Sequence, residues 1–222
     1  MKPWEILAQA PAPDGGEFVL HHRDGEFVIR VRGQELMSSR VHGSEEEMAR
    51  LASAALGGVP NPRVLIGGLG LGYTLRATLD ALGPSAEVVV AELAAAIVEW
   101  NRGPLAPLAG RPLEDPRARV EVADVRRVMR SGAPWNAILL DVDNGPAALT
   151  RASNASLYDE PGLTTAHSAL APKGVLVVWS AGPDERFTSR LAQVGFSAET
   201  HQVRAGKGRG TRHTLFVARR RK

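Results

Sequence analysis

The chain has 222 residues, 44% hydrophobic and 23% charged, a balance that fits a globular protein and excludes a disordered or fibrous one. It has no cysteine, which excludes disulfides, thiolate metal sites and a cysteine nucleophile. The formal net charge is +3, yet eight basic residues and no acid lie between Arg204 and Lys222, so the preceding 203 residues, with 19 basic and 24 acidic groups, carry a net −5.

Residues 1–58 are expected to form a small N-terminal β extension, a hairpin followed by a helix. Phe18–His22 and Phe27–Arg32 flank Arg23-Asp24-Gly25, and Asp-Gly is a hairpin signal. Ser44-Glu45-Glu46-Glu47 reads as a capping box, with Ser44 at the N-cap. Met48, Leu51, Ala52, Ala55 and Leu56 then share one helical face, and Gly57-Gly58 with Pro60 stops the helix. Met1 to Ala10 lacks the apolar run of a signal peptide, and no stretch approaches the ~18 apolar residues of a membrane span. A cytoplasmic location is the expectation.

From Arg63 the pattern changes, and residues 59–222 are expected to form one α/β domain. The apolar runs Val64–Ile66, Val88–Ala91, Val120–Val122, Ala137–Val142 and Val175–Trp179 alternate with helical stretches near 73–82, 94–101, 125–130, 157–170 and 184–194. Strands without polar alternation are buried on both faces, as in a doubly wound parallel sheet covered by helices. Two further strands, Ala198–Val203 and Thr211–Ala218, flank the loop Arg204–Gly210 and suit an antiparallel hairpin.

The run Val64-Leu65-Ile66 leads into Gly67-Gly68-Leu69-Gly70-Leu71-Gly72 and then a helix. Glycines there permit a tight turn and let a ligand approach the backbone, while the helix start offers free N–H groups. Glu92, 20 residues after Gly72, ends the next run and is placed to accept the hydroxyls of a ribose. Asp124 ends the third run; it suits either the amine of adenine or the N-cap of the following helix. The turn is not the Gly-x-Gly-x-x-Gly dinucleotide pattern, and no Walker lysine follows it. A nucleoside without phosphates suits the sequence better, and S-adenosylmethionine and its decarboxylated form are such ligands.

The fourth run delivers Asp141 and Asp143 to the same sheet edge and breaks at Asn144-Gly145-Pro146. Ligands of open α/β sheets bind outside the carboxyl ends of the strands. Two carboxylates there can hold a cation, or one can act as general base toward an amine; a plain turn is the competing reading. No metal is expected, since no histidine lies nearby in sequence and the six histidines show no ligand spacing.

Together these residues resemble the spermidine synthase-like (polyamine aminopropyltransferase) branch of the class I S-adenosylmethionine-binding proteins. The resemblance runs from Gln34-Glu35-Leu36 and the Glu-rich helix through the glycine turn, Glu92, Asp115-Pro116-Arg117, Asp124 and Asp141. It continues to Leu157-Tyr158 and Leu170-Ala171-Pro172-Lys173-Gly174. It implies a Rossmann-like class I methyltransferase fold, a seven-stranded mostly parallel sheet with the last strand antiparallel. It implies cofactor binding by Gly67, Gly68, Gly70, Gly72, Glu92 and Asp124, and an acid–base role for Asp141. Asp143 and Tyr158 would line the acceptor site. A cationic or amine acceptor, and a place in polyamine biosynthesis, follow from the same resemblance.

Three positions depart from that family. Gly70 stands where the family carries an Asp that receives the amine end of decarboxylated S-adenosylmethionine. Asp141-Val142-Asp143-Asn144 replaces its Asp-Ser-Ser-Asp. Glu45-Glu46 replaces its Tyr-His pair. The Gly70 change keeps open a methyltransferase on an unknown acceptor, and the basic C-terminal segment keeps open a non-catalytic nucleoside- or nucleic-acid-binding protein. Nucleic acid is not favoured, because the positive charge lies apart from the acidic strand ends; that segment reads as a solvated loop and frayed tail. Trp100, Trp135 and Trp179 read as core or pocket wall. A homodimer is left open.

Overall fold

The computed structural model describes residues 2–13, 15–142, 156–204, 206 and 211–221. The chain opens with β1 (Glu5–Pro11), β2 (Glu17–Arg23), β3 (Glu26–Val31) and β4 (Gln34–Ser38), which pair in that order as an antiparallel sheet. The expected hairpin joins β2 and β3, with Arg23 opposite Glu26. Asp24 and Gly25 take φ of 50° and 82°, as a two-residue turn matched to strand twist requires.

Helix α1 (Gly43–Leu56) begins two residues earlier than expected, with His42 rather than Ser44 in the N-cap position. The capping box of Ser44 and Glu47 does not form. Ser44 Oγ bonds the Glu45 carboxylate at 2.6 Å, and Glu47 pairs with Arg50. Gly57 ends the helix at φ 59°.

The remaining elements are β5 (Arg63–Gly67), α2 (Tyr73–Ala81), β6 (Glu87–Glu92), α3 (Ala95–Arg102), β7 (Ala118–Val122), α4 (Val125–Gly132), β8 (Trp135–Leu140), α5 (Glu160–Ala169), β9 (Leu170–Ser180), α6 (Glu185–Val194), β10 (Phe196–Arg204) and β11 (Arg212–Arg220). They build a seven-stranded sheet ordered β10-β11-β9-β8-β5-β6-β7. β5 through β9 pair in parallel, while β11 lies antiparallel between β9 and β10. This is the expected doubly wound sheet.

Successive strand residues point to opposite faces, and both faces are covered. Val64, Ile66, Val88, Val90, Leu139 and Val177 pack with α1, α2, α3 and with Phe18, Leu20 and Ile29 of the small sheet. Leu65, Val89, Ile138, Leu140, Leu176 and Val178 pack with Val128, Leu163 and Leu191 on the other side. Each such fully buried side chain contributes about 1.5–3 kcal/mol, which is why the strands read as unbroken apolar runs. Trp100 and Trp135 are core residues.

Part of the C-terminal basic segment has a structural role, which corrects its reading as a frayed tail. Arg219 and Arg220 lie in β11, inside the sheet. Arg219 donates to the Ala55 carbonyl at 2.6 Å and Arg220 to the Leu170 carbonyl, both at helix C-terminal ends where carbonyls lack partners. Arg117 does the same for α2, donating to the Leu79 and Leu82 carbonyls while gripping Asp115. That guanidinium holds the Asp115 carboxyl well below its usual range, at about 2. Among the described residues no helix is long and apolar enough to cross a membrane, and no cluster of His, Asp or Glu could hold a metal ion.

Candidate functional site

The strand order reverses beside β5, and the crevice of such sheets opens there, at the carboxyl ends. Backbone bonds lock three strand ends together: Gly68 N–H donates to Ala91 at 2.9 Å and Asp141 N–H to Gly67 at 3.0 Å. Gly68, Gly70 and Gly72 take φ of 91°, 53° and 86°. At Gly68 a Cβ would lie 2.4 Å from the Asp141 carbonyl oxygen, so only glycine fits. Asn101 of α3, 2% exposed, clamps the turn, its Nδ2 donating to the Gly70 carbonyl at 2.8 Å and the Ile97 carbonyl at 2.9 Å.

Glu92 ends β6. Its carboxylate accepts the N–H of Leu69 at 2.9 Å and of Ala94 at 2.8 Å, one on each oxygen. The two bonds fix the orientation of the carboxylate at the strand end. Beside it the apolar Leu93 is 50% exposed. Asp124 is the N-cap of α4, accepting the Arg126 N–H at 2.8 Å and the Arg126 guanidinium. That guanidinium holds the Asp124 carboxyl below its ordinary value.

Asp141 follows β8 directly. Its Oδ2 accepts the Thr74 hydroxyl at 2.6 Å. Burial, reinforced by the charge of Glu45, raises its pKa from 3.8 to about 7, while the Thr74 bond opposes the rise. Thr74→Val removes a hydrogen bond that favours the ionised form. It is expected to push the Asp141 pKa above about 7, so that any reaction needing the carboxylate loses its rate at higher pH than in the wild type. A pH–rate profile checks this.

The crevice has two lobes. The first is bordered by Gly68, Glu92, Leu93, Ile97, Asp124 and Val125. The second is bordered by Glu35, Ser44, Glu45, Tyr73, Thr74, Trp179 and His213. Leu36, Met37, Gly70 and Asp141 border both and form the junction. In the second lobe burial raises the Glu45 carboxyl above its usual range. Burial and the charges of Glu45 and Glu46 raise the Tyr73 hydroxyl, and burial lowers His213.

Gly67, Gly68, Gly70, Gly72, Glu92, Asp124 and Asp141 thus converge on one sheet edge. Asp143 lies outside the described residues. Tyr158 is 3% exposed, packs edge-on against Phe187 with ring centres 5.9 Å apart, and donates to the Val142 carbonyl at 3.3 Å. Among the described residues it borders neither lobe, and it is placed as a packing residue. Thr74, Asn101, Glu45 and His213 were not legible as site residues. Thr74 carried a faint signal, two residues after the last glycine in the first turn of α2.

No known family's sequence profile matches the chain, and no curated protein matches it in sequence. Solved structures do. Spermidine synthase from Thermotoga maritima superposes with a TM-score of 0.76 at 20% identity, covering 96% of this chain and 72% of that one. A spermidine synthase in complex with the transition-state analogue AdoDATO gives 0.76 at 19% identity, with the same coverage. The O-methyltransferase TomG from Streptomyces achromogenes, in complex with SAM, gives 0.55 at 21% identity, covering 79% of each chain. The fold is that of the class I S-adenosylmethionine-dependent methyltransferases. Spermidine synthase shares this fold over 96% of the chain, which here also carries an antiparallel four-stranded N-terminal sheet.

Proposed function

We propose that the protein is a transferase that holds S-adenosylmethionine or its decarboxylated form in the first lobe and a cationic or amine-type acceptor in the second. The observation that carries this reading is the junction. Asp141 borders both lobes, where a carbon activated in one would meet a nucleophile from the other. Glu92 would hold the ribose, Leu93 would lie against the adenine and Asp124 would face its amine. Asp141 would take the proton of the acceptor nitrogen. That nitrogen then attacks the carbon next to the sulfonium; the C–S bond breaks and its electron pair stays on sulfur, leaving a neutral thioether. Holding nitrogen and carbon in line would supply most of the acceleration.

Among the described residues the second lobe has three carboxyls, Glu35, Glu45 and Asp141, and one basic group, His213. This favours a cation there. Coverage of 96% of the chain by spermidine synthase, against 79% by the O-methyltransferase, favours aminopropyl transfer. Gly70 favours the methyl reading, because the Asp of the resembling family is absent there. Incubation with each co-substrate and a panel of amines decides between them. Release of 5′-methylthioadenosine marks aminopropyl transfer, S-adenosylhomocysteine marks methyl transfer, and neither product from any amine contradicts the proposal.

Gly70→Asp sharpens the distinction. The position has φ 53°, a region that Asp tolerates better than most residues, and the nearest atom to a new Cβ is Met37 Sδ at 3.7 Å. The variant is expected to fold and to shift preference toward the decarboxylated form by about tenfold or more, as a charge-assisted hydrogen bond supplies. Competition calorimetry reads the shift.

A further inference from the structure

α1 and β11 meet at the second lobe although Ser44 and His213 are 169 residues apart. Ser44 is 2% exposed. Its hydroxyl lies 2.6 Å from Glu45 Oε2 and 3.2 Å from His213 Nδ1. The shorter contact has the length of a hydroxyl donating to a carboxylate. With its single proton committed, Ser44 Oγ accepts from His213, so Nδ1 carries the hydrogen. Trp179 stands edge-on to that imidazole with ring centres 4.6 Å apart. A bonded chain therefore runs from β11 through Ser44 to the Glu45 carboxylate.

Glu45 lies in the first turn of α1, where an acid also suits the helix dipole. Glu45 shares the lobe with Asp141 and Glu35, and its charge opposes ionisation of Asp141. Carboxylates brought together in a partly buried space repel, and a cation between them relieves the repulsion. The resembling family has a Tyr in the place of Glu45, so anchoring by charge here would belong to this chain.

We propose that Glu45 anchors the cationic acceptor in the second lobe, and that Ser44 and His213 are its positioning residues. The assignment rests on the transferase reading for the location of the acceptor and not on which group is transferred. The cation at Glu45 keeps its charge, whereas the nitrogen at Asp141 gives up a proton. The anchored nitrogen is therefore a different one from the reacting nitrogen.

Calorimetric titration of the full chain with 1,4-diaminobutane, with and without S-adenosylhomocysteine, tests this. Binding to the wild type is expected, with Glu45→Gln weakening it by about tenfold or more, the usual penalty for removing one partner of a charge pair. His213→Asn keeps an N–H donor near Nδ1 and should stay within about twofold, while His213→Phe fills the space beside Trp179 without a donor and should lose about fivefold, a hydrogen bond's share. Ser44→Ala should behave like His213→Phe. No binding to the wild type, or unchanged binding in Glu45→Gln, overturns the anchor. Retention in His213→Phe with loss in His213→Asn overturns the positioning role. S-adenosylhomocysteine affinity, read separately, reports the first lobe; its absence with diamine binding intact would sink the transferase reading and leave Glu45 standing.

Discussion

Gly68→Ala is expected to abolish nucleoside binding and to destabilise the protein. Two effects add. The residue sits at φ 91°, where a side chain costs about 1–3 kcal/mol. The new Cβ would also lie 2.4 Å from the Asp141 carbonyl oxygen, a backbone atom locked by the bond from Asp141 N–H to Gly67. Relief requires the glycine turn and the end of β8 to separate, and those two segments border both lobes. The expected fall in Tm is about 5–10 °C for a chain of this length, with S-adenosylhomocysteine affinity lowered beyond detection. Gly70→Ala separates the two effects, since it shares the positive φ, at 53°, but its nearest neighbour is Met37 Sδ at 3.7 Å, so backbone strain alone is expected there. A Gly68→Ala variant that binds normally would contradict the geometry of the turn.

Asp141→Asn is expected to lower turnover by about 10²–10⁴, the usual contribution of a positioned general base, with nucleoside affinity changed less than twofold. Wild-type activity should fall as pH drops through about 7, where Asp141 gains its proton, and the residual activity of the variant should lack that limb. Stability moves the other way. The folded state raises the Asp141 pKa from 3.8 to about 7, so it is favoured while the group is protonated, below about 4, and loses that advantage as pH rises through about 7. Asn cannot ionise. The variant should therefore melt higher than the wild type at pH 8, with the gap shrinking toward pH 5. Normal turnover in Asp141→Asn would refute its assigned role.

The parts of the site that follow from local sequence were legible. Gly67 to Gly72, Glu92 and Asp141 each end an apolar run, and runs buried on both faces must lie in one sheet, so their ends meet at one edge. The residues that tune the site were not legible, because their partners come from afar. Asn101 reaches Gly70 across 31 positions, Thr74 reaches Asp141 across 67, and Ser44 reaches His213 across 169. Ser44 also shows a local rule losing to a tertiary one. Its spacing to Glu47 suits a capping box, yet its hydroxyl turns to Glu45 and His213. β1 and β4 escaped notice because Glu-Ile-Leu-Ala-Gln-Ala-Pro and Gln-Glu-Leu-Met-Ser lack strict alternation.

The charge pattern now has a structural meaning. The net +3 hides an acidic crevice and a basic segment of which Arg219 and Arg220 satisfy helix-end carbonyls within the sheet. Those two arginines are accounted for by folding rather than by an acidic partner.

The proposed function requires the first lobe to be a nucleoside site held by Glu92. Calorimetric titration of the wild type and of Glu92→Ala with S-adenosylmethionine, its decarboxylated form and S-adenosylhomocysteine tests it most directly. At least one of them is expected to bind the wild type one-to-one, weakened about tenfold or more in Glu92→Ala, the penalty for losing hydrogen bonds to a charged acceptor. Failure of all three to bind the wild type, or equal affinity in Glu92→Ala, would contradict it.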